Sequence, residues 1–165
     1  MPDKLIYDRT AADVARVNEL MRKVRAGSAT DAERAEWLGG GMKGAWNASD
    51  LNRINDWLAY LTDFLKAQGY SAAVFLRHTP WTKADFPTRN DIDRIRRNVE
   101  ALQNCFFALL DWREIVYNGT MDFDQANVLE WDLGRIEIWL QELVKAASIR
   151  QANTLFMQAG GVFNA

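Results

Sequence analysis

The chain has 165 residues, 48% of them hydrophobic and 25% charged, with a formal net charge of −2, enough for one domain with a real core. That balance excludes a generally basic surface, and with it broad nucleic-acid binding through phosphate contacts. The best apolar run, CFFALL at 105–110, is far too short to cross a bilayer, and the opening MPDKLIYDRT lacks the apolar stretch of a signal peptide. The single cysteine, Cys105, cannot form an intrachain disulfide, so a protein made and kept in the cytoplasm, or in a particle assembled there, is expected.

Helices are predicted over about 10–26, 30–38 (short), 47–68, 88–110 and 124–148. One word punctuates them: DLNRI at 50–54, DIDRI at 91–95 and DLGRI at 132–136 start 41 residues apart, with a looser DVARV at 13–17. Thr10, Asn47 and Thr88 each precede an acid (Asp13, Asp50, Asp91) by three positions. That is the spacing of a capping box, with Asp where Glu or Gln is usual. The fourth unit has Leu at the matching position, 129, so its helix is expected to begin earlier, near Asp122 or Asp124.

Apolar residues then recur at helical spacing in every unit. They are Val14, Val17, Leu20, Met21 and Val24; Leu51, Ile54, Leu58, Leu61 and Leu65, broadened by Trp57 and Phe64; Ile92, Ile95, Val99, Leu102 and Phe106; and Leu133, Ile136, Leu140, Leu143 and Val144. Gly27, Gly39-Gly40-Gly41 and Gly69 are natural stops. The connectors YSAAVFLRHTPW (70–81) and WREIVYNGTMDF (112–123) read as extended and too polar and irregular to be core. Short strands or a hairpin are open there, with Asn118-Gly119 a tight-turn signal. The expected fold is mainly α, a bundle of about four long helices built from a 41-residue helix-plus-connector repeat. A single domain spans 1–165, with loosely patterned ends at 1–9 and 149–165. Closure into a bundle is favoured over a solenoid, since each unit offers one long helix and not a stacked pair.

Candidate sites divide between chemistry and scaffold. Asp-x-x-Arg places both side chains on one helical face, so Arg53, Arg94 and Arg135 with Asp50, Asp91 and Asp132 offer either a charged ring for a partner or caps with exposed ion pairs. The second reading is favoured. His78, the only histidine, lies in a connector, and Cys105 beside an apolar stripe; each reads as structural, and no His/Cys set has metal-ligand spacing. The acids Asp122, Asp124, Glu130 and Asp132 lack the spacing of a calcium loop. GGGMKG at 39–44 lacks the Lys-Ser/Thr of a phosphate loop and reads as a hinge or helix stop. No catalytic residue, cofactor or metal is expected. Among seven tryptophans, Trp57 and Trp139 occupy matching repeat positions and are expected in the core. Trp46, Trp81 and Trp112, in connectors or at helix ends, are loop anchors or partner contacts.

The run KGAWNASDLNRINDWLAYLTDFL (43–65) resembles a segment of uncharacterised proteins encoded by prophages of Gram-positive gut bacteria. Asn47, Asp50, Leu51, Asn52, Arg53, Ile54, Tyr60 and Leu61 carry the resemblance, and IYDRTAADV at 6–14 is similar to their opening. The resemblance implies a phage-particle component, of the tail or baseplate, or an accessory to one, located in the bacterial cytoplasm or the virion. It brings no catalytic residues with it. The expected function is a non-enzymatic structural and interaction module whose partners are other particle proteins or a second copy of itself, with no membrane. The alternative is a small helical regulatory or nucleic-acid-associated protein using Arg89, Arg94, Arg96 and Arg97, although Asp91, Asp93 and Glu100 interleave those charges.

Overall fold

The computed structural model describes residues 1–105, 111–116 and 121–160, with side chains described as far as residue 151. Five helices follow one another: α1 (Ala11–Arg25), α2 (Asp31–Gly39), α3 (Ala48–Ala67), α4 (Arg89–Gln103) and α5 (Phe123–Gly160). No strand occurs among the described residues. Phe106, most of the CFFALL run and the Asn118-Gly119 turn lie outside them.

The caps explain the helix starts. Thr10 and Asp13 exchange hydrogen bonds between side chain and backbone at 3.3 and 2.8 Å, and Thr88 and Asp91 do so at 3.3 and 2.9 Å. Thr30 and Glu33 form the same box at the head of α2. At α3 the Asp50 carboxylate accepts from the Asn47 backbone N–H at 2.9 Å, while the Asn47 amide donates to the loop carbonyls of Met42 and Ala45. Each box satisfies donors that the first helical turn would leave bare. α5 starts early, as its missing cap foretold, with Asp122 accepting from Gln125 N–H at 2.8 Å. α4 stops at Gln103, short of 110, and α5 runs past 148 to Gly160. No glycine or proline interrupts α5 between Gly134 and Gly160, and Ala, Gln, Leu and Met in that stretch favour helix.

Helices α3, α4 and α5 pack mutually and enclose the core. Its centre is Leu51, Ile54, Leu58, Leu61 and Leu65 of α3, Ile95, Val99 and Leu102 of α4, and Leu129, Leu133, Ile136 and Leu140 of α5. α1 and α2 pack on each other as a flanking hairpin, joined by the ion pairs Arg16–Glu36 and Lys23–Glu33 at 2.6 Å each. Only Leu20 of the α1 stripe is fully buried. The connectors also differ from expectation, because Trp81 and Ile115 belong to the core, as does Leu5 of the N-terminal segment.

Asparagine side chains on the helices hold the extended segments. Asn98 both accepts from Phe75 N–H and donates to Phe75 C=O (2.8 and 3.0 Å). Asn55 grips Arg77 in the same two-point manner (3.0 and 3.2 Å), Asn52 grips Trp81 (2.7 and 2.9 Å), and Asn127 grips Arg9 (3.0 and 2.8 Å). A primary amide presents a donor and an acceptor side by side, as a peptide group does. The connectors thus find side-chain partners for backbone groups that a strand neighbour would otherwise have to satisfy.

One glycine fixes how the hairpin meets the bundle. A Cβ built on Gly44 would lie 2.2 Å from the backbone of Asp13 in α1. Gly44→Ala should therefore destabilise by about 1–3 kcal/mol through overpacking, read from the urea midpoint. Gly39→Ala, with no neighbouring atom within 4 Å, should be close to neutral. Ile136→Ala, which empties a fully buried core position, should cost roughly 2–4 kcal/mol.

Candidate functional site

The DLNRI word of α3 leads to the most concentrated chemistry in the molecule. Asp50 and Arg53 lie one turn apart on the buried face of α3 and meet Glu130 of α5 and Arg9 of the N-terminal segment. The Glu130 carboxylate is 0% exposed and takes four donors. Oε1 accepts from Arg9 Nη2 at 2.7 Å and Arg53 Nη2 at 2.8 Å. Oε2 accepts from Arg53 Nε at 3.0 Å and the Ile6 backbone N–H at 2.6 Å. Asp50 Oδ1 accepts from Arg53 Nη2 at 2.6 Å and Arg9 Nη2 at 3.2 Å.

Two cations and two anions therefore cancel inside the fold. Burial works against the Arg53 charge, but its hydrogen bonds to Glu130 and Asp50 prevail and hold its pKa above the ordinary value. Both carboxylates are committed to donors on each oxygen. Chemically this arrangement clamps three chain segments together and offers no free acid or base.

A second cluster lies further along α5, beside the connector at 111–116. Asp132 is 0% exposed; among the described residues Oδ1 accepts a long bond from Arg113 N–H at 3.4 Å and Oδ2 has no partner. Burial raises its pKa to about 7, opposed by the Arg113 N–H and guanidinium, with Asp111 adding to the rise. Arg135 does not pair with Asp132 but with Asp111, at 2.5 Å. The Arg113 guanidinium lies 4.2 Å from the centre of the Trp131 ring, which Arg135 also overlies at 5.9 Å and Tyr7 meets edge to face at 5.6 Å.

Next to this cluster, an apolar groove of about 440 Å³ opens between the N-terminal segment and α5, lined by Leu5, Tyr7, Trp57, Trp131, Gly134 and Ile138. Its size falls in the range of sites that receive a side chain or small ligand.

The three Asp-x-x-Arg copies thus have three fates. Arg53 is 8% exposed and bonded through Nε and Nη2 to Glu130 and Asp50, Arg94 pairs with Asp91 at 2.9 Å on the surface of α4, and Arg135 pairs outside its own word. The structure does not bring them together as a charged ring. Trp81 is buried, with Arg77 stacked on it at 3.9 Å, and Trp46 and Trp112 pack half-buried against the core. Trp57 is core as expected, but Trp139 is 40% exposed, because the 41-residue spacing carries it onto the outer face of α5.

His78 is exposed. The Cys105 thiol donates to Ser71 C=O and Ala101 C=O at 3.4 and 3.5 Å, and burial pushes its pKa up. Among the described residues no three His, Cys, Asp or Glu side chains gather as a metal site. The acidic run is dispersed: Asp122 caps, Glu130 joins the network and Asp132 stands apart. Sequence reasoning named Glu130 only as part of that run and missed Arg9. The one available signal was a lone arginine just ahead of the Thr10 cap, within a segment apolar enough to dock.

Removing one partner of a buried pair leaves an uncompensated charge. Glu130→Gln should therefore cost roughly 3–5 kcal/mol of stability, against ~1 kcal/mol or less for removing the Asp91 side of the surface pair. Chemical denaturation measures both.

Asp132 sets a pH dependence. Its folded pKa lies above the unfolded value, so the native state holds the proton more tightly. The stability that Asp132 contributes is full below about pH 4 and is lost as pH rises to about 7, by at most roughly 4 kcal/mol. The carboxylates with depressed pKa, such as Asp13, Asp91 and Glu33, act below that window. Asp132→Asn should flatten the slope between pH 5 and 8 and raise the urea midpoint at pH 8.

The chain matches no protein-family model, no curated protein and no solved structure.

Proposed function

We propose that the protein is a non-enzymatic structural and interaction module, a helical component of a phage tail or baseplate or an accessory to one. The observation that carries the reading is the division of labour along α5. Its first half is buried in the bundle, with Glu130 in the charge clamp, whereas every residue from Lys145 to Gln151 is exposed. A helix carried beyond its own core is suited to packing against another protein.

The residues shared with the prophage proteins support the same reading. Asn47, Asp50, Asn52 and Arg53 fix loops and the charge clamp, and Leu51, Ile54 and Leu61 fill the core. That pattern is a scaffold's. The nucleic-acid alternative is weakened by the pairing on α4. Arg94 engages Asp91, Arg97 engages Asp93, and Arg96 sits between Asp93 and Glu100, which leaves little uncompensated charge for phosphates.

Co-expression with the tail and baseplate proteins of the same prophage tests the proposal. A complex of fixed stoichiometry that withstands high salt is expected. Failure to associate with any of them, together with a DNA affinity that falls steeply with salt, would overturn it.

A further inference from the structure

Glu137 falls one turn after Leu133 and one turn before Leu140 on α5, both core residues, and is itself only 8% exposed. Unlike Glu130, it has no cation among the described residues. Oε1 accepts from the Tyr60 hydroxyl and from Gln141 Nε2, each at 3.3 Å, and Oε2 accepts from no described donor. The cations on either side of it along α5 are committed elsewhere, Arg135 to Asp111 and Lys145 to Glu142. A carboxylate drawn this far from water without a countercharge is costly.

The same residue lines the groove of about 440 Å³ between the N-terminal segment and α5. The other walls are Leu5 and Ile138, with the rings of Tyr7, Trp57 and Trp131. Tyr60 joins the two features. Its ring meets Trp57 edge to face at 5.6 Å while its hydroxyl donates to Glu137, which fixes the carboxylate relative to the aromatic wall. Lys4 also reaches the groove, but it is exposed and keeps its hydration. The charge that lacks compensation is therefore the negative one.

We propose that this groove binds a small protonated amine with an apolar body, its ammonium pairing with Glu137 and its body lying against the aromatic walls. The ammonium donates to Oε2, a charge-assisted bond in a place where little water competes. The rings receive the hydrocarbon, for which flat apolar surface is the natural partner. Trp131 already carries Arg113 and Arg135, so Glu137 and not that ring takes the charge. An acid of the same shape would set two anions together, and a neutral molecule would leave the buried charge without a partner. The volume is that of a small-ligand site. The site uses the N-terminal segment and the bundled half of α5, so it stands whether or not the chain joins a particle.

Phenethylamine is the probe, with hydrocinnamate as its acid counterpart and phenethyl alcohol as its neutral one. Each is titrated into the full chain at neutral pH and followed through the indole N–H signals by NMR. The amine should saturate at millimolar concentration or below. It should shift the signals of Trp57 and Trp131 and leave that of Trp81, which does not line the groove. The acid and the alcohol should bind about tenfold more weakly or worse.

Glu137→Gln keeps the shape of the side chain. It should weaken the amine about tenfold or more and leave the alcohol unchanged, with a melting curve to check that the variant is folded. Ile138→Ser, at a position 46% exposed, should weaken amine and alcohol alike. Failure of the amine to saturate, or acid or alcohol binding as tightly as the amine, would overturn the site. So would an amine affinity indifferent to Glu137→Gln, or shifts confined to the other tryptophans. The three probes on the unaltered chain test the charge without any substitution.

Discussion

A single carboxylate organises this molecule. Glu130 sits in the middle of the helix bundle and receives hydrogen bonds from two guanidinium groups and one backbone amide. A carboxylate in that position is tolerable only when every oxygen is satisfied and its charge is balanced nearby. Arg53 meets part of the demand from α3, and Arg9 brings the N-terminal segment in to meet the rest. Asp50 then balances the second cation. The N-terminal ten residues have no regular structure of their own, yet their path is dictated by this requirement, by Asn127 on the Arg9 backbone and by Trp57 donating to Asp3 C=O at 2.7 Å. The groove beside α5 exists because that segment is held there.

The contrast between the two buried acids of α5 shows how much the environment decides. Glu130 and Asp132 are two residues apart and equally inaccessible. One has two arginines aimed at it. Among the described residues the other has one long backbone bond and an oxygen without a donor. Burial therefore seats the first among balancing cations and makes the second a group that is half protonated near pH 7. The connector at 111–116, pinned to α5 through Arg113 and Asp111, lies beside the only described acid raised in this way.

Local rules in the sequence were legible because their physics is local. Thr10-Asp13 and Thr88-Asp91 need only each other to cap a helix, and the stripes Leu51–Leu65 and Ile92–Leu102 need only the helical period to find one face. The mainly helical bundle follows from those. The three Asp-x-x-Arg words diverged because a word specifies a helix turn and not its neighbours. Arg53 found Glu130, 77 residues away, whereas Arg94 pairs with its own Asp91. Arg9 was illegible for the same reason, since its partners are 41 and 121 residues distant. The paired use of Asn52, Asn55, Asn98 and Asn127 has no periodic signature, because each must match a connector whose path is set elsewhere. Trp139 was misread because its match to Trp57 rests on a spacing that does not preserve burial.

Those asparagines grip main-chain atoms, and main-chain atoms are the same for every residue except proline at the N–H. Connector 70–81 is therefore fastened by a device indifferent to most of the letters it fastens. Phe75, held by Asn98 yet 70% exposed at its side chain, illustrates the point: its backbone is fixed while its ring is unconstrained. Mutation can rewrite the outward residues of such a loop without loosening its seat. The helices act as a frame with an interchangeable label, and diversity among relatives of this chain should accumulate on the label first.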